Sequence, residues 1–377
     1  MSKAEPTAPD RVAGCPHPRE TVDLIGHEEA EAAMLAAYAR DRFPHAWLMS
    51  GRRGIGKATL AYRFARFLFS DASDLGGLFG VAEDLAVDPD SNAYRRVAAG
   101  SHGNLFTLTR MPQERARSGD YYSVIRIDDV RRLGPFLTRT AHEPGWRVIV
   151  VDSADDMNLN AQNGLLKSLE EPPPQCVFLL VSESPGALLA TIRSRCRHLA
   201  MKPLAEAAMD QVLGGLLPDL GVDERRALAL LSEGSPGRAA ALAAGGGLSI
   251  YREMIALIDG LPGLNIGQLH ALAERLGRRT AEADYRVFVD LLDNWLIRLC
   301  RDTAGGLGTT EIVDGEQALM TRLIGGGGLE HWIEVWETMG RLTERADAVN
   351  LDRKAVIVNV FMALERAAQS AGTGRPA

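Results

Sequence analysis

The chain is short of the features that would place it outside the cell, across a membrane or along a nucleic-acid backbone. Only four cysteines occur in 377 residues, Cys15, Cys176, Cys196 and Cys300, and no two form a C-x-x-C pair. That spacing argues against a disulfide framework or a cysteine zinc module and makes a reduced, cytoplasmic compartment the expectation. No apolar run approaches the roughly 18 residues that a bilayer span requires, so no membrane partner is expected. Basic charge is not in excess either: 42 Lys and Arg stand against 49 Asp and Glu, a net charge of -7. A protein built to grip a phosphate backbone should be basic, so any DNA contact must be local or shared with partner subunits. The first twenty residues are polar and proline-rich and lack an apolar stretch. They read as a disordered lead-in rather than a signal peptide.

What is present reads as a globular protein of two or three domains, 46% hydrophobic and 24% charged. From about residue 21 to 202, helical patterns alternate with short aliphatic runs. The segment after Gly26 is rich in Ala, Glu and Leu and predicts a helix, which Pro44 ends. Strands are predicted at His45–Met49, Leu105–Leu108, Val148–Val151 and Val177–Val181. Continuous apolar strands separated by helices imply a parallel sheet covered on both faces. Leu60, Phe64, Phe67 and Leu68 share one helix face, and a helix over Leu159–Glu171 is stopped by Pro172, Pro173 and Pro174.

Beyond residue 203 the strand signals vanish. Residues 203–247 predict a small helical lid ending in Gly245, Gly246 and Gly247, and residues 248–370 a larger all-α domain, with 371–377 as a tail. Tyr285, Phe288, Leu292, Trp295 and Leu299 recur at helical spacing, as do Trp332, Val335, Trp336 and Met339. Such stripes read as core or subunit interface. Glycine-rich stretches at 305–308 and 325–328 predict loops.

One motif carries phosphate chemistry. Gly51-Arg52-Arg53-Gly54-Ile55-Gly56-Lys57-Ala58 lies between a predicted strand and a predicted helix, the context in which G-x-x-x-x-G-K-[ST] is meaningful. Its glycines let backbone N–H groups and a helix N-terminus face a phosphate, and Lys57 adds positive charge. The hydroxyl that should hold Mg²⁺ is missing, because the position is Ala58. Thr59 follows, but about 100° further round the helix. The acidic motif is damaged in the same way. Asp152 stands at the end of a strand, where a carboxylate orients the metal, but the next residue is Ser153, which cannot polarise an attacking water. Asp155 reads as a cap or surface contact. Hydrolysis is therefore expected to be lost, while ATP or ADP binding without cleavage stays open.

Three further stretches make a resemblance specific. Asn163-Gly164-Leu165-Leu166-Lys167-Ser168-Leu169-Glu170-Glu171-Pro172-Pro173 resembles the N-A-L-L-K-x-L-E-E-P-P helix of clamp-loader ATPases, Ser194-Arg195-Cys196 resembles their S-R-C motif, and Phe43-Pro44-His45-Ala46 resembles the opening of the same domain. Together with the helical half, the likeness to the AAA+ clamp-loader family covers about residues 20–370. Degraded Walker residues beside an intact S-R-C resemble the delta-prime branch more than the gamma/tau motors. The resemblance implies an α/β AAA+ P-loop domain, a helical lid and an all-α collar. It implies a place in the DNA polymerase III clamp loader with gamma/tau and delta subunits, acting on the sliding clamp and, indirectly, on primed DNA in the nucleoid-associated replisome. It further implies that Arg195 is an arginine finger reaching a neighbour's γ-phosphate, that Ser182 is a strand-end sensor and that Arg238 is a lid arginine touching phosphate. A turn-capping hydroxyl and a surface charge are the plainer readings of the last two.

Some members carry a four-cysteine zinc module after the P-loop helix. Residues 70–104 hold no cysteine, so no zinc is expected, and the 71–103 insertion reads as a variable surface element. No polymerase carboxylate cluster is visible, so DNA synthesis by the chain itself is not expected. The rivals are an active gamma-like ATPase, with Thr59 recruited to the metal, and a P-loop kinase or nucleotide switch.

Overall fold

The computed structural model describes residues 8–40, 43–70, 84–113, 121–138, 145–305, 310–326, 328–349 and 352–373. The chain forms two compact units: residues up to Leu216 together with Gly234–Ala240, and Leu217–Glu233 together with Ala241 onward. The lid expected over 203–247 is thus shared between them rather than standing as one piece.

In the first unit the elements run α1 (Glu28–Tyr38), β1 (Ala46–Ser50), α2 (Lys57–Phe69), α3 (Asn92–Ala98), β2 (Leu105–Leu108), α4 (Ile127–Arg131), α5 (Leu133–Thr138), β3 (Arg147–Val151), α6 (Leu159–Glu170), β4 (Cys176–Ser182), α7 (Ala190–Arg193), β5 (Arg197–Ala200) and α8 (Glu206–Leu216). The strands form one parallel sheet in the order β2-β3-β4-β1-β5. The strands β1, β3 and β4 are buried along almost their whole length, as their continuous apolar runs require. Their neighbourhood in the sheet brings the carboxyl ends of β1, β3 and β4 side by side, where open α/β sheets hold ligands.

The strand β5 has no counterpart among the predicted strands. Its residues are Arg197, His198, Leu199 and Ala200, mostly exposed, and it sits at the sheet edge. An edge strand with an open face needs no apolar run, so periodicity is silent about it. What fixes it is tertiary: the Arg197 guanidinium lies 4.9 Å from the Trp47 ring, and Ser50 Oγ is 2.6 Å from His198 Nε2.

Both faces of the sheet are covered. Leu60, Phe64, Phe67 and Leu68 of α2 are buried as one stripe, each contributing about 1.5–3 kcal/mol. On the other face Leu165 and Leu169 of α6 and Ile192 of α7 join Ile149, Phe178 and Leu180 in a single cluster. The helix α6 starts where Asn158 Oδ1 accepts from the Ala161 amide at 2.9 Å and stops before the triple proline. Gly164 stands where the family motif has alanine. A Cβ there would lie 2.4 Å from Ile127 Cδ1, so α4 packs against bare helix backbone.

The second unit is helical: α9 (Val222–Leu231), the end of α10 (Pro236–Ala244), α11 (Gly247–Asp259), α12 (Ile266–Gly277), α13 (Glu282–Gly305), α14 (Glu316–Gly326), α15 (Leu329–Val349) and α16 (Arg353–Thr373). Its core holds Tyr251, Phe288, Trp295, Trp332 and Phe361. The stripe on α13 is buried throughout. On α15 the exception is Trp336, 40% exposed, whose Nε1 donates to Asp293 at 2.7 Å. A buried polar knot ties α11, α13 and α14. Glu316, with no exposed surface, accepts from Tyr251 Oη, from Arg298 Nη1 at 2.8 Å and from the Ile312 amide at 2.8 Å. The loop expected at 305–308 lies outside the described residues but for Gly305, the last residue of α13, and α14 runs into the second glycine stretch as far as Gly326.

Candidate functional site

The loop between β1 and α2 has the backbone that its glycines predict. Gly54 has φ +75° and Gly56, directly before α2, has φ +116°. Side chains there would be strained, and a Cβ on Gly54 would fall 2.9 Å from the Arg238 amide nitrogen. That contact belongs to a set of links between the loop and the Gly234–Arg238 turn. The Gly237 amide donates to Gly54 O at 2.9 Å and Ser235 Oγ donates to Arg53 O at 2.6 Å, while the Leu204 amide, outside the loop, holds the same turn by donating to Gly234 O at 2.9 Å. The Arg238 backbone is thereby brought to the loop, but its side chain does not line the cavity beside it.

That cavity, about 720 Å³, is bordered by Gly54, Gly56, Lys57, Ala58 and Thr59, by Asp152, Ser153 and Asp155 past β3, and by Glu183 past β4. Lys57 is 4% exposed and its Nζ donates to the carbonyls of Gly51 at 2.6 Å and Arg52 at 2.7 Å. Burial lowers its pKa, against the opposing pull of Glu183, Asp152 and Asp155. The ammonium is held by the loop that it is meant to serve.

Asp155 has a larger role than the sequence shows. Its carboxylate accepts from Ser153 Oγ at 3.0 Å, Ser182 Oγ at 2.7 Å, the Glu183 amide at 2.5 Å and the Ser184 amide at 3.3 Å. It staples the end of β3 to the end of β4. Ser182 is fully buried and its hydroxyl is committed to this staple, which matches the turn-capping reading better than the sensor reading. Ser153 is likewise tied, and Ala58 offers only a methyl. Asp152 is pushed up to about 7, by burial first and by the nearby Asp10 carboxylate second. A metal centre needs a hydroxyl and an ionised carboxylate at these places. Position 58 supplies no hydroxyl and position 153 no carboxylate.

Asp10 belongs to the segment expected to be a disordered lead-in. Residues 8–20 are instead ordered against α2, and much of the stretch from Pro9 to Ile25 walls the cavity. The pins are polar. Arg66, 2% exposed, donates to the carbonyls of Arg19 at 3.1 Å and Thr21 at 2.7 Å, Arg63 donates to Val22 O at 2.6 Å, and Tyr94 Oη donates to Glu20 O at 2.6 Å. His17 is buried against Asp10 at 3.1 Å. Side chains donating to backbone leave no trace in hydropathy, which is why composition suggests disorder. Residues 1–7 lie outside the description, as do 71–83 of the insertion, whose remainder contains α3.

Arg195 lies outside this cavity, just past α7. It is about one-third exposed, its Nη1 donates to Thr191 O at 2.9 Å, and its Nη2 pairs with Glu170 Oε1 at 2.7 Å.

A parallel sheet with a phosphate loop after β1, an acidic strand end on β3 and a glycine turn folded onto the loop defines an α/β P-loop domain. The family model described as DNA polymerase III, delta subunit, matches residues 26–205. Over that region the chain is similar to clamp-loader subunits of the delta-prime kind. DNA polymerase III subunit delta' of Pseudomonas aeruginosa is 38% identical over 197 residues, which is 52% of this chain and 55% of that protein. DNA polymerase III subunit tau/gamma of Haemophilus influenzae is 29% identical over 224 residues, 58% of this chain and 29% of that one. The chain thus matches about half the length of the first relative and under a third of the second. A solved gamma-subunit-related protein from Thermotoga maritima covers 90% of this chain and 99% of its own at 18% identity, with a TM-score of 0.35.

Proposed function

We propose that the chain is a non-hydrolysing stator of the DNA polymerase III clamp loader, taking part in loading the sliding clamp onto primed DNA. Its neighbours would be gamma/tau motor subunits and a delta subunit, with residues 248–370 as the oligomerisation collar. The observation that carries this reading is a separation within one domain. The phosphate loop faces Ala58 and a Ser153 locked to Asp155, whereas Arg195 stands partly open and away from the cavity that those residues line. A guanidinium outside its own pocket is consistent with service at another, and its planar fork suits a γ-phosphate. Nucleotide held in the chain's own cavity would remain uncleaved.

The test is reconstitution with the motor subunits, clamp and primed DNA. Arg195→Ala should leave assembly intact and remove the share of DNA-stimulated ATP turnover contributed by the adjacent motor site, since an arginine supplied in trans is worth about 10³–10⁵ in rate. Unchanged turnover refutes the proposal. A second reading, an active gamma-like ATPase, is favoured by one observation: Thr59 lines the same cavity as Lys57. It requires the purified chain to hydrolyse ATP steadily and to lose that activity on Lys57→Ala.

A further inference from the structure

Glu170 is the last residue of α6, and its carboxylate lies outside the cavity, against Arg195. The ground beneath it is firm. Leu165, Leu169 and Ile192 lock α6 and α7 into the core, and Gln162 Oε1 accepts from the Leu189 amide at 2.8 Å where the chain enters α7. Across the other end of α7, Glu170 Oε1 meets Arg195 Nη2 at 2.7 Å, with side-chain exposures of 49% and 34%. A pair this open contributes little to fold stability, so stability does not account for it. Its effect is geometric. A long side chain free among its rotamers must be frozen when it engages a ligand, and that ordering opposes binding. Here the guanidinium is already fixed at two points, Glu170 and the Thr191 carbonyl. Of the five N–H groups of an arginine, three remain for an anion.

We propose that Glu170 is the positioning residue of Arg195, holding the guanidinium at the domain surface so that its remaining N–H groups meet the terminal phosphate of a nucleoside triphosphate bound by a neighbouring subunit. This rests on the trans reading of Arg195. The carboxylate touches neither nucleotide nor water; it acts through the arginine.

The experiment uses the full chain in the reconstituted loader with motor subunits, clamp and primed DNA, measuring kcat and KM for ATP. Glu170→Ala should lower kcat about two- to tenfold, the cost of ordering one long side chain, with KM little changed. Glu170→Gln, which keeps an acceptor oxygen in place, should retain most of the rate. The double variant Glu170→Ala/Arg195→Ala should be no slower than Arg195→Ala alone. Wild-type or faster turnover in Glu170→Ala, a glutamine variant no better than alanine, or further loss in the double variant overturns the proposal. Should Glu170→Ala fail to assemble, Glu170→Gln against Glu170→Asp decides, a shorter acid being expected to lose the contact and the rate. The two ideas separate cleanly. A slow Arg195→Ala beside an unaffected Glu170→Ala removes the positioning role alone, whereas an unaffected Arg195→Ala removes the trans reading and the positioning role with it.

Discussion

Asp152 offers the sharpest test of the degraded pocket, because the stator reading and the ATPase reading want opposite things from it. A magnesium ligand should be ionised and should gain from the metal. In this structure burial and the Asp10 carboxylate push Asp152 from its ordinary 3.8 to about 7. The fold therefore favours the protonated acid. Because the folded value is raised, the stabilising contribution is complete below about pH 4 and is lost as pH climbs through 7. Fully ionised, such a carboxyl would cost about 4 kcal/mol. Asp152 keeps partial contact with the cavity and faces Lys57 and Arg53 as well as Asp156, so screening cuts the figure to about 2 kcal/mol. Asp152→Asn, which is isosteric and uncharged, should then raise the melting temperature at pH 8 by about 4–8 °C and by clearly less at pH 5, where about 40% of the full cost is present. Differential scanning fluorimetry between pH 5 and 8, with and without magnesium, reads both effects. The wild type should lose stability relative to the variant as pH rises, and magnesium should not restore it. Equal pH dependence in the two proteins, or a magnesium-induced rise in the wild type that Asp152→Asn abolishes, would refute the reasoning.

Other expectations follow from the packing. Arg66→Met removes two charge-assisted bonds to the 19–21 backbone and relieves a guanidinium that burial lowers to about 10. The net loss should be about 1–3 kcal/mol, and limited proteolysis should cut within residues 8–25 much faster than in the wild type. Glu316→Ala leaves the Arg298 guanidinium, with only 12% of its side chain exposed, without its carboxylate. Chemical denaturation should show about 3–5 kcal/mol lost from the transition of the helical unit, with that of the P-loop unit unmoved. Gly164→Ala gains helix propensity but meets Ile127 Cδ1. It should destabilise by about 1 kcal/mol, and adding Ile127→Val, which deletes that methyl, should recover the loss as a coupling of similar size in a double-mutant cycle.

The sequence determined what depends on local repetition and on rare residue types. Aliphatic runs located β2 to the residue and β1, β3 and β4 to within a residue or two, the prolines after Glu171 ended α6, and the spacing of Gly51, Gly54, Gly56 and Lys57 defined the loop. Ala58 and Ser153 were visible by themselves as departures from the hydroxyl and the acid of the motif. Tertiary structure alone decided what depends on distant groups meeting. Buried arginines of α2 turned an apparently disordered leader into a wall of the cavity, Asp155 tied up Ser153 and Ser182, and Glu170 took hold of Arg195. Each of these is a polar bond across a sequence gap or to a backbone carbonyl. Hydrophobic period records which face of an element is buried; it carries no information about which donor will find which acceptor once the elements have packed.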